Sequence, residues 1–482
     1  MSEGGGVKRM IIARDEEMKS LQELYQREDS QFIAIFGRRG IGKTFLVHDA
    51  FKDELTFEHT GLAGKSRRQE LKHFVCSLRN AGMKEPVKEP KNWLEAFELL
   101  KDLIRNSKDT RKVIFIDELS WMDTKGSDLM IALEGFWNGW AGARKDIVLI
   151  VCASNVTWMT DRIIHNIGGL YNRLNLWLKL KPFTLKDCEE YLQSKNIRMS
   201  RQDILKGYMI MGGVPYYWSL IRNDLSLAQN IDEMFFLENA PLKNEFDCIC
   251  SCMFSHAENY IPVLAAFGKE KAAMTRRELA KITALKNNDS LTKVLDDLEN
   301  CGFIEGFKEY GKKNKWPVYQ LTDHLVLFHF RFLENRTGDE QFHIDALNES
   351  LRDSWQTIAF EMVCFQHIAQ IKKKLGISGV ITETQAWRCR DNPEKCVHET
   401  QIDLMIVRRD RVINLCEMKY SCTEYEANED DDKELRGKLC NFINGSKTGY
   451  AVLYTLISPG GLKWNMYTGR FHSVIALDDL FA

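Results

Sequence analysis

The segment FIAIFGRRGIGKTFLVHDAF, residues 32–51, decides the fold class. The apolar run from Phe32 to Phe36 predicts a buried strand, and a helix is expected to begin near Lys43. Between them, glycines allow consecutive backbone N–H groups to curl around a phosphate chain at the N-terminus of the helix. The spacing fits the pattern G-x-x-x-x-G-K-[ST] and predicts a nucleotide-binding loop made of Gly37, Arg38, Arg39, Gly40, Ile41, Gly42, Lys43, Thr44 and Phe45.

An acidic motif supplies the second half of a phosphoryl-transfer site. The segment VIFIDELSWM, residues 113–122, predicts a central parallel strand that ends in Asp117 and Glu118. Ligands of open α/β sheets bind at the carboxyl ends of the strands, so these acids are expected beside the loop. Asp117 and Thr44 would hold Mg²⁺, and Lys43 would reach the β- and γ-phosphates of ATP. Glu118 would polarise the attacking water.

Two further positions are candidates for sensing the nucleotide. The apolar run DIVLIVCASN, residues 146–155, ends in Ser154 and Asn155. A polar side chain there could sense the γ-phosphate, or it could cap the helix that follows, and the sequence leaves both readings open. Arg173 is a candidate to stabilise the phosphates, in cis or from a neighbouring subunit, although long cationic side chains are usually surface residues.

Length and composition set the wider frame. A chain of 482 residues, 44% hydrophobic and 28% charged, predicts roughly two to four domains with ordinary cores. The formal net charge of -2 gives no global field that would attract nucleic acid. The 13 cysteines are scattered and no leader pattern opens the chain, which favours reduced thiols in the cytoplasm. No apolar run reaches the roughly 18 residues of a membrane span, so no membrane partner is expected.

Charges interrupt two apolar strands near the C-terminus, in QIDLMIVRRDRVINLCEMKYS, residues 401–421. Residues two apart share a face of a strand, so Glu417 and Lys419 are expected to project together. Asp403 lies on the preceding strand, and residues 408–411 form the hairpin between the two. Two carboxylates this close repel each other unless a cation lies between them, and Mg²⁺ prefers oxygen ligands. Lys419 would then stabilise charge on a phosphate under attack.

The sequence between these regions predicts smaller elements. Apolar residues at three- and four-residue spacing predict a helical region over about residues 187–245. The segment EFDCICSCMFSH, residues 245–256, is interpreted as a linker. The alternating spacing of its cysteines does not fit a zinc knuckle; they are Cys248, Cys250 and Cys252.

Residues 274–321 predict a winged helix-turn-helix, with two helices around an Asn-rich turn followed by a hairpin with a basic tip. In such folds the second helix reads the major groove. Here that helix is expected to expose Asp296, Asp297 and Glu299 against a single lysine, Lys293, so sequence reading by it is not expected. The domain could serve packing or subunit contact, or its tip could touch a nucleic-acid backbone through Lys312, Lys313 and Lys315.

Together these motifs resemble a family of prokaryotic AAA+ type P-loop ATPases whose C-terminal region resembles a PD-(D/E)xK nuclease. Further parts of the resemblance are ARDEEMKSL, LKPFTLKDCEEYL, MGGVPYYW and YQLTDHLVLFHFRFL. Arg14 and Glu17 match a G-R-x-x-E pattern in which Ala13 replaces the glycine. In such proteins the segment GGVPYYW, residues 212–218 here, closes a helical lid over the ATPase core.

The resemblance to the PD-(D/E)xK fold extends from about Ser354 to the last residue. It implies a metal site formed by Glu361, Asp403 and Glu417, with Lys419 as a catalytic residue. Glu361 lies in the helix WQTIAFEMVCFQHIAQIKKKL, on the same side as apolar residues. A chain that keeps this fold only as a scaffold could instead retain the charges as a buried ion network, and both readings stay open.

The expected fold is therefore α/β and multidomain. It comprises a parallel α/β P-loop AAA+ core over 1–185, a helical lid over 186–246, a winged helix-turn-helix over 247–340 and an α/β PD-(D/E)xK-like domain over 341–482. The expected function is ATP hydrolysis coupled to a Mg²⁺-dependent nuclease-like domain acting on nucleic acid, DNA in preference to RNA. The alternative is a nucleotide-gated switch, or a DNA- or protein-binding regulator, whose nuclease-like domain is inactive. Because AAA+ relatives often form rings, a homo-oligomer is also considered.

Overall fold

The computed structural model describes residues 11–84, 87–254, 256–270, 273–312, 317–334, 349–389 and 398–482, and the side chains of the sixth segment from residue 353 onward. The chain divides into two compact units. Unit 1 comprises Met1–Pro182 with Ile249–Ser255, and unit 2 comprises Phe183–Cys248 with His256–Ala482. Each unit has its own β-sheet.

Unit 1 is built on a five-stranded parallel sheet. Its strands are β1 (Gln31–Phe36), β2 (Leu55–Thr60), β3 (Lys112–Asp117), β4 (Ile147–Ala153) and β5 (Leu176–Lys179). They lie in the order β2-β3-β4-β1-β5. The helices are α1 (Asp15–Tyr25), α2 (Lys43–Ala50), α3 (Arg67–Asn80), α4 (Trp93–Asn106), α5 (Leu119–Met122), α6 (Leu129–Gly139) and α7 (Val156–Met159).

The central strands of this sheet are apolar because helices cover both of its faces. Every residue of β1 and β4 is buried, and Ile33 lies beside Ile150 in the parallel register. On one face Ile33 and Ile150 share a core with Leu21 of α1. On the other face Phe32 contacts Trp137 of α6, with ring centroids 5.0 Å apart. The sheet is therefore the middle layer of three.

Unit 2 is built on a mixed sheet of eight strands. These are β6 (Ala273–Thr275), β7 (Ile304–Glu309), β8 (Val318–Leu321), β9 (Thr382–Cys389), β10 (Thr400–Arg408), β11 (Val412–Met418), β12 (Ala451–Ile457) and β13 (Phe471–Ile475). The helices are α8 (Leu185–Ser194), α9 (Arg201–Met211), α10 (Pro215–Ser219), α11 (Leu227–Ile231), α13 (Ile261–Lys269), α14 (Arg276–Ile282), α15 (Asp289–Asn300), α16 (His324–Phe328), α17 (Glu349–Gln366), α18 (Ile368–Lys374), α19 (Glu429–Ser446) and α20 (Leu477–Leu480). A further helix, α12 (Glu245–Met253), begins in unit 2, and its residues from Ile249 onward belong to unit 1. Within the described ranges of the chain, none of the helices has both the length and the apolar character needed to cross a membrane.

The eight strands form one continuous sheet in the order β13-β12-β11-β10-β9-β7-β8-β6. Its continuity depends on β7 and β9, which pair in parallel through Lys308 with Gln385 and Glu309 with Ala386. The hairpin of the predicted winged helix-turn-helix therefore shares its sheet with the strands of the C-terminal region.

The helical region around GGVPYYW depends on a glycine at position 213. The Phe183 N–H donates to the Gly213 carbonyl oxygen at 2.7 Å, and a Cβ at position 213 would stand only 1.9 Å from the Phe183 oxygen. Tyr208 of α9 donates its hydroxyl to that same Phe183 oxygen at 2.8 Å. The motif thus fastens the residues just before α8 to the end of α9.

The segment that we interpret as a linker is helical. Within α12, the buried residues Phe246, Ile249, Cys250 and Met253 follow the spacing of an amphipathic helix. The sequence does not reveal this helix because the alternating cysteines obscure its apolar stripe, and the division between the two units falls at this segment. The three clustered cysteines do not form disulfides in the described residues.

Helix α15, the second helix of the predicted winged helix-turn-helix, presents fewer acids than expected. Asp297 is buried and accepts a hydrogen bond from the Tyr260 hydroxyl at 2.6 Å. Glu299 is half-buried and accepts the Gly306 N–H at 2.9 Å. Asp296 is exposed. The expectation that all three acids face solvent is wrong because two of them satisfy donors of neighbouring elements.

Candidate functional site

The glycine-rich loop joins β1 to α2 at the carboxyl edge of the unit 1 sheet. Gly37, Gly40 and Gly42 have φ angles of 150°, 77° and 93°, a region that residues with a Cβ rarely adopt. Gly37 also lies against the backbone of Leu180, whose oxygen would be 2.8 Å from a Cβ at position 37. This backbone path is that of a loop that wraps an anion at the N-terminus of a helix.

Lys43 begins α2, and its side chain folds back into the loop. The residue is buried, and its Nζ donates to the carbonyl oxygens of Gly37 at 2.9 Å and Arg38 at 3.3 Å. The same Nζ donates to Ser154 Oγ at 2.8 Å. The ammonium group is thus held inside the loop, where a phosphate ligand is needed.

Asp117 lies at the end of β3 and meets the first turn of α2. Its Oδ2 accepts the Thr44 hydroxyl at 2.5 Å, and its Oδ1 accepts the Glu118 N–H at 2.9 Å. A threonine hydroxyl and a buried carboxylate are the hard oxygen ligands that Mg²⁺ takes in proteins. The pair fits the predicted metal position of the nucleotide site.

Glu118 and Ser154 are in direct contact. The Glu118 carboxylate accepts the Ser154 N–H at 2.9 Å and also accepts the Ser154 hydroxyl. Glu118 has a left-handed backbone, with φ of 48° and ψ of 44°, a strained conformation that is common at active sites. The structure therefore brings together the residues predicted as base, sensor and phosphate ligand.

The remaining predicted residues have different surroundings. Asn155 caps α7, because its side-chain oxygen accepts the Trp158 N–H at 2.9 Å, so the capping reading applies to Asn155 while Ser154 faces Lys43. Phe45 is exposed on α2. Arg173 is exposed in the segment before β5, and its role at the phosphates stays a prediction.

Two buried ionisable groups near this edge are not marked by any pattern in the sequence. Glu70 of α3 accepts the Leu62 N–H at 2.9 Å, and burial raises its pKa to about 7 against the effect of that hydrogen bond. Burial likewise lowers the pKa of His59, on β2, to about 3. The strand carrying His59 leads to Gly61, whose N–H donates to the Asp117 carbonyl oxygen at 3.0 Å. Both groups therefore belong to the layer that supports the end of β3.

The sequence of this region matches a known family. Residues 11–221 match the model of a family described as an ATPase domain predominantly from Archaea. Residues 11–221 are a P-loop ATPase domain. Over a longer stretch, the chain is 25% identical across 373 residues to the "Uncharacterized protein MJECL04" of Methanocaldococcus jannaschii, a match that covers 76% of this chain and 78% of that protein.

Two solved structures are among those similar to this chain. The Walker-type ATPase PABY2304 of Pyrococcus abyssi is 16% identical, with a TM-score of 0.49, and the match covers 67% of this chain and 96% of that one. The ORC2 protein of Aeropyrum pernix, in its ADPNP–ADP complexes, is 15% identical, with a TM-score of 0.46, and the match covers 68% and 95%. Similarities of this size bear on neither ligand nor partner.

Outside the ATPase domain, the predicted acids of unit 2 lie on neighbouring strands. β10 and β11 are antiparallel, with Leu404 paired to Cys416 at the end of their register. Asp403 and Glu417 are the next residues of the two strands beyond that pair, and both line the same cavity. The amide of Gln401 donates to the Asp403 carboxylate.

A cavity of about 50 Å³ lies at this end of the two strands. Burial, followed by the nearby carboxylates of Asp403 and Glu417, raises the pKa of the α17 residue Glu361 to about 8, while lysines nearby oppose the shift. The polar residues and the aromatic residue that line the cavity are Glu361, Gln401, Asp403, Glu417, Lys438 and Tyr454.

Two lysines hold Glu417. Lys419 Nζ lies 3.3 Å from Glu417 Oε1. Lys438, on α19, donates to both Glu417 oxygens, at 3.2 and 3.1 Å, and lies 2.8 Å from Glu434. No pattern in the sequence marks Lys438, because it follows Glu417 by 21 residues on a helix that reads as a solvated surface.

The donor chemistry of this cavity fits a hard divalent ion, because three carboxylates line it, and burial together with the other two carboxylates raises the pKa of Glu361. The oxygens do not converge on one point: in the described parts of the chain, no three or more His, Cys, Asp or Glu side chains form a group that could hold a metal ion. The arrangement is therefore a carboxylate cluster balanced by ammonium groups, with space beside it.

The contacts of the β7–β8 hairpin bear on whether it serves packing or touches a nucleic-acid backbone. Beyond β7, the Tyr310 N–H donates to the Ala386 carbonyl oxygen at 2.9 Å, and the Tyr310 hydroxyl bonds Thr448 at 2.8 Å. Lys312 pairs with Glu309 at 2.9 Å. These contacts favour packing over nucleic-acid contact. The other two basic tip residues lie outside the described residues; they are Lys313 and Lys315.

Proposed function

We propose that this chain is an AAA+ ATPase that uses ATP and Mg²⁺ to control a metal-dependent nuclease centre in its C-terminal region. The observation that supports the proposal is that Glu361, Asp403 and Glu417 line one cavity in a chain with a P-loop ATPase domain. The substrate class is nucleic acid, DNA in preference to RNA.

In the ATPase domain, the residues described above bind and orient the reactants. Lys43 and the loop N–H groups would bind the β- and γ-phosphates, while Thr44 and Asp117 would hold Mg²⁺, which neutralises phosphate charge. Glu118 would accept a proton from the water whose oxygen attacks the γ-phosphorus as the bond to ADP breaks. Ser154 joins Glu118 to Lys43, so the position of the base depends on what the lysine binds.

In the C-terminal centre, Glu361, Asp403 and Glu417 would hold Mg²⁺, which when bound lowers the pKa of a water ligand and polarises a phosphodiester. Lys419 would place its ammonium group beside the attacking water or the phosphate. The water oxygen attacks phosphorus, the bond to the leaving sugar oxygen breaks, and that oxygen takes up a proton.

A buried histidine connects α8, in the predicted helical lid, to α17, which carries Glu361 of this centre. Leu185, the first residue of α8, donates its N–H to His367 Nε2 at 3.0 Å. His367 Nδ1 lies 2.8 Å from the Val363 carbonyl oxygen of α17, which assigns the ring proton to Nδ1. The same helix carries Glu361. A displacement of α8 would therefore act on the helix that supplies an acid to the cavity.

A nucleotide-gated switch that cuts nothing is the second candidate. The observation that favours it is that Lys438 pairs with both Glu417 oxygens, so the negative charge of Glu417 is neutralised without a metal. In that case the C-terminal region would bind a protein or nucleic acid. Calorimetric titration with Mn²⁺, wild type against Asp403→Ala, separates the two candidates, because only a metal centre loses heat of binding in the variant.

Two activity measurements test the proposal. Protein is incubated with Mg²⁺ or Mn²⁺ and with single- and double-stranded DNA and RNA, with and without ATP, and cleavage is expected to disappear when Asp403→Ala and Lys419→Ala are combined. Cleavage that survives the double substitution, or no cleavage by the wild type, contradicts the nuclease assignment. Lys43→Ala should abolish ATP hydrolysis, and full turnover in that variant contradicts the ATP site.

A further inference from the structure

Lys438 lines the same cavity as the three acids and binds the carboxylate of one of them. Its Nζ donates to both oxygens of Glu417, at 3.2 and 3.1 Å. The side chains of Lys438 and Glu417 are 21% and 15% exposed, so water reaches the pair only partly. A carboxylate this shielded requires a cationic partner, and Lys438 provides it.

Lys438 has a second partner on its own helix. Its Nζ lies 2.8 Å from Glu434 Oε1, one turn earlier in α19, and the Glu434 side chain is 53% exposed. The flexible four-carbon stem of a lysine allows its ammonium group to move between acceptors this close together. The side chain can therefore leave Glu417 without losing all of its carboxylate contacts.

We propose that Lys438 is a displaceable internal cation that occupies the place of the metal on Glu417, and that metal binding displaces its ammonium group from Glu417 while the contact with Glu434 is kept. This inference rests on the proposed metal-dependent function of the cavity and names the residue that regulates its metal affinity. A divalent ion and an ammonium group on the same carboxylate repel each other, so the two occupy Glu417 in alternation.

The displacement accounts for the geometry of the cavity. Three carboxylates line it, yet in the described residues no such group converges to hold a metal, because both oxygens of Glu417 face Lys438. Lys419, whose Nζ lies 3.3 Å from Glu417 Oε1, differs from Lys438 because it belongs to the predicted E-x-K pair. Lys438 is thus a positioning residue, and Lys419 remains the candidate catalytic lysine.

The test is a titration of the full chain with MnCl₂, without nucleotide or nucleic acid, followed by calorimetry and by the EPR signal of free Mn²⁺. Asp403→Ala defines the background from other sites. Lys438→Met is expected to tighten the Asp403-dependent binding about tenfold, because the competing cation is gone. Glu434→Gln is expected to weaken it about threefold, because the displaced ammonium group loses its acceptor. Lys433→Met, on the same helix and paired with Glu429, is the matched control and should leave the affinity unchanged.

The combined variant Lys438→Met with Glu434→Gln gives the decisive comparison. Once Lys438 is replaced, the substitution of Glu434 should have no further effect on Mn²⁺ affinity. If Lys438 and Glu434 only stabilised the fold, this dependence of one substitution on the other would not be expected. Unchanged or weaker binding in Lys438→Met overturns the inference alone. Absence of Asp403-dependent binding in both wild type and Lys438→Met overturns the proposed metal centre as well. Should Lys438→Met fail to fold, unchanged affinity in Glu434→Gln is sufficient to overturn the inference.

Discussion

Ser154 donates both its backbone N–H and its hydroxyl to one carboxylate, that of Glu118. The same hydroxyl oxygen accepts a hydrogen bond from Lys43 at 2.8 Å. One buried serine therefore joins the predicted phosphate ligand on α2 to the predicted base after β3. The orientation of the Glu118 carboxylate is set by this serine.

Replacement of Ser154 by alanine tests that relationship. Ser154→Ala keeps the N–H but removes the hydroxyl, so Glu118 loses one of its two donors. The kcat for ATP hydrolysis is expected to fall about 10- to 100-fold, since a misplaced base loses most of its contribution. Affinity for ATP should change by less than about threefold, because the loop itself is intact.

Phosphate-release assays and nucleotide titrations measure the two quantities. Ser20→Ala, which removes an exposed hydroxyl bonded within α1, is the control. Turnover by Ser154→Ala at the wild-type rate would show that Glu118 does not depend on this serine.

Gly37→Ala tests the backbone path of the loop. The residue has a φ of 150°, and a Cβ there would meet the Leu180 carbonyl oxygen at 2.8 Å. A backbone oxygen cannot move aside as a side chain can, so the loop must shift and affinity for ATP should fall at least about tenfold. Binding of a fluorescent ATP analogue measures the loss.

Gly135→Ala on α6 is the matched control for that variant. No atom lies within 4 Å of a Cβ built at this position. The substitution should leave nucleotide binding unchanged and raise stability by about 0.5–1 kcal/mol, because alanine favours a helix interior. Equal ATP affinity in Gly37→Ala and Gly135→Ala would mean that the loop tolerates a side chain at position 37.

The parts of the molecule that the sequence predicts well are those whose chemistry is local. The strand, loop and helix around Lys43 lie within one short segment, and Asp117 and Glu118 directly follow the apolar residues of β3. The proximity of Asp403 and Glu417, which line one cavity, can also be predicted from the sequence, because a hairpin brings the two strands side by side.

The features that the sequence does not predict depend on which distant surfaces meet. Lys438 contacts Glu417 only because α19 crosses the sheet beside β10 and β11. The sequence suggests that Asp297 is a surface acid, whereas in the structure it accepts a hydrogen bond from the Tyr260 hydroxyl. The parallel pairing of β7 with β9 joins strands of two different predicted domains, and no local pattern specifies such a pair.

Glu70 gives unit 1 a pH dependence whose sign is fixed by its burial. Its pKa is raised to about 7 in the folded protein, whereas an unfolded glutamate titrates near 4.5. Between these values the folded state holds more protons, so its stability falls as pH rises from 4.5 through 7. Glu70→Gln, which stays neutral, should gain about 1–3 kcal/mol relative to wild type between pH 5 and pH 8.

Two experiments at several pH values measure this difference. Urea unfolding gives the free energy of unfolding, and hydrogen exchange of peptides from α3 gives the local stability. Glu16→Gln, at an exposed position of α1, is the control and should show no such trend. A constant difference between Glu70→Gln and wild type across the range would mean that Glu70 is ionised in the folded state.

His367 gives unit 2 the opposite dependence. Burial lowers the pKa of its imidazole to about 4, below the ordinary value of 6.5. The unfolded state therefore binds more protons between pH 4 and pH 6.5, and the contribution of His367 to stability is lost as pH falls through that window. His367→Phe fills the same space but leaves the Leu185 N–H without its acceptor, which should cost about 1–3 kcal/mol at pH 7.

Because phenylalanine does not titrate, the penalty of His367→Phe should shrink as the pH is lowered from 7 to 5. Hydrogen exchange of α8 and of α17 from residue 353 onward reports both the penalty and its pH dependence. His472→Phe, at an exposed position of β13, is the control for replacement of a histidine that is not buried. If the exchange rates of α8 in His367→Phe match those of wild type, α8 does not depend on His367, and the proposed route from the lid to Glu361 fails.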